Sequence, residues 1–146
     1  MTFKKSGFIF LVSAALICDQ SLAQKPVNWT NEQLAEPSEL AATINSKKDI
    51  PLIFSVGPGA KIPYSIDIGP VKEDENLKKF KNQLAHLSKE TKIVVYCGCC
   101  PFENCPNVRP AIQVLKKMKF TNYFLLNLPH NIKVDWLDKG YPKVKL

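Results

Sequence analysis

The run Ile93-Val94-Val95-Tyr96, apolar and β-branched without a break, stands between two stretches whose apolar residues fall three or four apart. This change of period constrains the fold more than any other feature. An unbroken apolar run of that length reads as a strand covered on both faces. Before it, Leu77, Phe80, Leu84 and Leu87 trace an amphipathic helix from Asp74 with lysines on its outer face, and after it Val108, Ile112, Leu115 and Met118 trace another. Pro51 to Val56 is a second buried-strand pattern, stopped by Gly57-Pro58-Gly59. Ile62 to Ile68 is an irregular extended piece, and Tyr123 to Leu126 a further strand. Glu39 to Asn45 reads as a helix with Ser38 as its N-cap, and Val134 to Lys139 as a short closing helix before Gly140. Trp29 is placed to anchor an extended lead. Strands alternating with helices predict right-handed crossovers and a single α/β domain, with a mainly parallel central sheet flanked by helices.

The N-terminus is a separate matter. Lys4 and Lys5, the apolar run from Gly7 to Cys18 and the exit Ser21-Leu22-Ala23 predict a cleaved secretory signal over residues 1–23. The apolar run is short for a bilayer span, so no transmembrane segment is expected after cleavage. Export to the periplasm or beyond follows as the expectation. The alternative is a lipoprotein anchored through Cys18, against which Ile17 is large where such signals carry a small residue. Loss of Lys4, Lys5 and Asp19 would take the formal charge from +7 to +6. All the basic residues but one are lysines scattered along helical patterns, with no basic stripe interleaved with aromatics, so nucleic acid is not an expected partner.

Every cysteine beyond Cys18 lies in one loop: Cys97, Cys99, Cys100 and Cys105 follow directly on the Ile93–Tyr96 strand. Bridges between such near neighbours close tiny loops and restrain the unfolded chain little, so the cluster reads as chemistry before scaffolding. In a parallel α/β sheet the ligand site lies at the carboxyl ends of the strands, which is where Cys97 falls. A loop feeding a helix offers amides and the positive end of the helix dipole, both of which favour a thiolate. Asn107 is a plausible N-cap for that helix, and Pro110 fits its first turn. Arg109, the single arginine of the chain, sits at the same helix start. Its planar fork suits a two-oxygen anion edge in a way that lysine does not.

These residues resemble the active-site region of the rhodanese-like (sulfurtransferase) domain family: an apolar strand ending Tyr96-Cys97, a loop, then Arg109 and a small residue opening a helix. Leu52–Val56 is similar to the family's early strand, Ile62–Ile68 to its Ile-Pro segment, and Asp135–Pro142 to its closing Trp and Gly-Tyr-Pro. The resemblance covers nearly all of residues 24–146. It implies a parallel α/β domain in which Cys97 is the nucleophile and persulfide carrier and Arg109 binds an anionic sulfur donor. It also implies a small sulfur-containing anion or a thiol acceptor as partner, and no cofactor. The chain departs from the family in its loop, which is enlarged between Cys97 and Arg109 and carries Cys99, Cys100 and Cys105 as accessory thiols, with Pro101 and Pro106. A resolving role for these thiols and a plain structural bridge both fit.

Two rival chemistries use the same residues. Cys97 to Cys100 is a C-x-x-C, as in thioredoxin-like thiol–disulfide exchange, although that fold carries its motif early and only 46 residues follow Cys100 here. Four thiolates also suit zinc or Cu(I), although adjacent cysteines fit a tetrahedral centre poorly. His86 is expected on a solvated helix face, His130 in the last loop as a solvated residue with a contact at the site mouth as the alternative, and Glu103 pointing outward.

Overall fold

In the computed structural model of the chain the structure describes residues 29–144. The predicted signal segment, Cys18 and the lipidation alternative all lie outside the described residues. The elements run β1 (Leu34–Ala35), α1 (Pro37–Ser46), β2 (Leu52–Ser55), β3 (Ser65–Asp67), α2 (Asp74–Leu84), β4 (Ile93–Tyr96), α3 (Val108–Lys117) and β5 (Tyr123–Leu126). The strands form one five-stranded sheet in the order β1-β5-β4-β2-β3, parallel throughout. No helix among the described residues is long and apolar enough to cross a membrane.

β4 is central and wholly buried, as its unbroken apolar sequence requires. Its side chains alternate between two cores. Ile93 and Val95 join Phe54, Phe80, Leu84 and Leu115 under α2 and α3. Val94 and Tyr96 join Leu40, Ile44, Ile53 and Trp136 under α1 and the closing turn. Burying a side chain of this size fully contributes roughly 1.5–3 kcal/mol. The two layers of helix over a parallel sheet are therefore held by the same residues that set the pattern.

The details correct several expectations. α1 begins at Pro37, with Glu36 rather than Ser38 at the N-cap position, because proline's fixed φ suits the first helical position and its missing N–H costs nothing there. α2 stops at Leu84, and Leu87 reaches the core from the turn beyond. The closing helix is a π-helical turn over Lys133–Leu137, after which Gly140 takes φ +73°. β1 has no counterpart in the sequence reading; it pairs Leu34 with Leu125 and Ala35 with Leu126 at the β5 edge.

Candidate active site

Cys97 follows the last residue of β4, at the carboxyl end of the central strand, with 3 % of its surface exposed. The segment after β2 makes room for its sulfur and for the start of the loop. Gly57, beyond β2, lies so close that a Cβ there would stand 2.3 Å from Cys97 Sγ and 3.0 Å from Asn107 Nδ2. Gly59, at φ +122°, lets its segment touch Gly98, where an added Cβ would meet Gly98 Cα at 2.7 Å. The Gly98 peptide is held on both sides, its N–H donating to Pro58 O at 3.0 Å and its carbonyl accepting from Ile132 N at 3.1 Å. The start of the loop is thus fixed by backbone hydrogen bonds, with the Ile132 side chain packed against Gly98.

The polar support beneath Gly57 comes from Lys61, whose ammonium donates to Ser55 Oγ at 3.1 Å and to Asp67 Oδ1 at 2.8 Å, while the Ser55 hydroxyl donates to Gly57 O at 3.3 Å. Tyr96 ties the same crossover to β4: its hydroxyl accepts from Ile62 N at 3.0 Å and donates to Ala60 O at 3.3 Å.

Asn107 occupies the N-cap position of α3, but its side chain makes no capping bond. Instead it is 2 % exposed, donates from Nδ2 toward Cys97 Sγ at 3.8 Å, and accepts at Oδ1 from Lys72 N at 3.1 Å. Sequence position singled out Asn107 for helix capping; its contact with the thiol could not be read from spacing. Gly57 was missed for a related reason, since a glycine after a strand reads as a stop signal whatever it faces.

The four thiols are free and converge, all their sulfurs lying within 4.8 Å of one another. Cys97 Sγ is 3.4 Å from Cys99 Sγ, and Cys99 Sγ is 3.1 Å from Cys100 Sγ. Cys97 and Cys105 are buried, Cys100 is half-buried and Cys99 is exposed. This arrangement separates their acidities. The Cys105 thiol donates to Cys97 and holds its pKa below the ordinary thiol value; burial opposes this, and the Cys99 backbone N–H adds to it. The same bond, together with burial, pushes the Cys105 pKa well up. Burial is also the first cause of the raised pKa values of Cys99 and Cys100. The negative charge of the cluster therefore rests first on Cys97.

The loop between Cys100 and α3 makes a 3-10 turn over Phe102–Asn104 and is pinned by Phe102 N donating to Leu128 O at 3.4 Å. Arg109 reaches back from α3 to donate from Nη2 to Glu103 O at 2.8 Å. It also lines an open cavity of about 440 Å³ with Trp29, Gln33, Gln113, Lys116 and Tyr123. Glu103 and His86 are exposed, as expected. His130 is exposed too, its Nδ1 2.9 Å from Asp135 Oδ1, while Asp135 Oδ2 accepts from the backbone N–H groups of His130 and Asn131.

No protein-family model matches the chain, and no curated protein does. Solved structures do. A full-length protein from Lactobacillus plantarum superposes with a TM-score of 0.58 at 14% identity, over 79% of this chain and 89% of that one. The rhodanese-like domain of an Anabaena protein, solved in solution, superposes with a TM-score of 0.55 at 13% identity, over 78% of this chain and 80% of that one. A crystal structure of the Anabaena protein gives 0.55 at 14% identity, over 77% and 92%.

Proposed function

Because the chain has a rhodanese-like fold, we propose that it moves a sulfane sulfur through a persulfide on Cys97. The observation that carries this reading is the cradle around one buried sulfur at the end of the central strand, where Gly57 leaves the space and Cys105, the Cys99 N–H and Asn107 Nδ2 supply donors. Donors fixed in advance around a site of negative charge stabilise that charge without reorganising when it forms or moves.

The chemistry proceeds in two displacements. The Cys97 thiolate attacks the outer sulfur of a donor such as thiosulfate; the donor S–S bond breaks, its electron pair leaves with sulfite, and Cys97 carries the persulfide. An acceptor thiolate then attacks the outer sulfur and the Cys97 thiolate leaves. Arg109 is assigned to the anionic donor from its place at the start of α3 and its two-pronged cation, and its bond to Glu103 O braces the enlarged loop.

The 3.4 Å separation of Cys97 and Cys99 favours a second outcome for the same intermediate. The Cys99 thiolate attacks Cys97 Sγ, hydrosulfide leaves with the outer sulfur, and a Cys97–Cys99 disulfide forms, to be reopened by an external dithiol. Transfer from thiosulfate to cyanide tests the reading. Activity that vanishes in Cys97→Ser, and that shows a raised KM for thiosulfate in Arg109→Lys, supports it; undiminished activity in Cys97→Ser refutes it.

A further inference from the structure

A persulfide carrier needs one thiol, and a resolved one needs two; this loop brings four sulfurs together. Their convergence is the work of the whole loop. Cys97 is set by β4, Cys105 by the turn that feeds α3, and Cys99 and Cys100 by the bend between them. Adjacent cysteines fit a single tetrahedral centre poorly in a regular segment, but here the bend turns both sulfurs to the same side, 3.1 Å apart. A tetrahedral centre with metal–sulfur bonds of about 2.3 Å places its sulfurs roughly 3.8 Å from one another. The four sulfurs, none more than 4.8 Å from another, already stand near that size.

The surroundings suit a cluster of negative sulfurs. α3, ten residues long, starts at Val108 and points its positive end at the loop. Asn107 Nδ2 is a buried donor aimed at the same sulfur group. Burial is uneven, with Cys97 and Cys105 inside and Cys99 at the surface, so an ion seated among them keeps a path to solvent.

We propose that Cys97, Cys99, Cys100 and Cys105 together bind one thiophilic closed-shell cation, Zn(II) or Cu(I), in an exchangeable site. A sulfur already bonded to the metal is unavailable to a donor, so metal and sulfane sulfur exclude each other at Cys97. That exclusion rests on the persulfide reading above; the metal site itself does not.

Anaerobic titration of the reduced protein with Co(II) tests the site through the sulfur-to-cobalt charge-transfer bands and the visible bands of a tetrahedral centre. One equivalent should bind and be displaced by Zn(II), with Cu(I) run in a separate competition to rank the two ions. Cys105→Ser alters a buried position, so Cys99→Ser and Cys100→Ser carry the test. Each should remove about a quarter of the charge-transfer intensity and weaken binding by more than about tenfold. Absence of tetrahedral bands, or binding indifferent to either substitution, overturns the site. In a second arm the Zn(II)-loaded protein is treated with thiosulfate before and after a chelator. Sulfur uptake only after chelation supports exclusion, and equal uptake in both overturns it. If sulfur is taken up in neither state while cobalt binds as expected, the persulfide reading fails and the metal site stands.

Discussion

At the scale of single residues the site is a contest over one proton. Cys105 donates its S–H to Cys97, so Cys97 is the first of the two to ionise and Cys105 the later, each shifted by the other. A thiol with a depressed pKa stays reactive at pH values where an ordinary thiol is protonated, and loses reactivity only as pH falls through the lowered value. In the reduced, metal-free protein, the pH profile for alkylation of Cys97 should therefore lie below that of a free thiol, and Cys105→Ala should move it upward, slowing alkylation at neutral pH. An unmoved profile would mean that Cys105 does not hold the charge in place. Gly57→Ala tests the space rather than the charge. Its Cβ would meet Cys97 Sγ at 2.3 Å, so the sulfur must leave its cradle or the crossover must shift. Overpacking of this kind costs about 1–3 kcal/mol. Melting and sulfur uptake should both fall, and wild-type uptake in Gly57→Ala would show that the cradle is not needed.

At the scale of elements, Tyr96 shows how the strand and the site are one construction. Its ring lies in the same core as Trp136, while its hydroxyl gathers the segment from Ala60 to Ser65 over the end of β4. Tyr96→Phe keeps the ring and leaves the Ile62 N–H without its partner. Chemical denaturation should show a loss of about 1–3 kcal/mol, the cost of an unsatisfied buried donor. α2 and α3 were legible in the sequence because each is long enough to display a period, and β4 and β5 because each is an unbroken apolar run. β1 was not: Leu34–Ala35 is too short to alternate, and only its pairing with β5, far away in the chain, makes it a strand. α1 was placed late because Ser38 is the stronger capping residue by type, whereas Pro37 decides the start by backbone geometry. Cys97 and Arg109 could be singled out because strand end and helix start are local signals. That Asn107 turns from its helix to the sulfur, and that Cys99 stands beside Cys97, depend on how the loop folds back.

At the scale of the whole molecule, the parallel sheet brings the β2–β3 crossover, the β4 loop and the segment after β5 to one end, so Gly57 meets Cys97 and Ile132 meets Gly98 although the chain separates them widely. The opposite layer is closed by Trp136, fully buried, donating from Nε1 to Pro142 O at 2.7 Å and meeting Tyr141 edge to face. Trp136→Ala should cost about 3–5 kcal/mol in denaturation, a large part of what a domain of this size possesses. A cost below 1 kcal/mol would mean that the closing turn is not part of the core. The proposed function turns on Cys97 as the sulfur carrier. Its most direct test is the intact mass of the reduced, metal-free protein after thiosulfate, followed by peptide mapping. A gain of one sulfur atom, located on Cys97 and absent in Cys97→Ser, is the predicted result; no gain, or the same gain in Cys97→Ser, would contradict it.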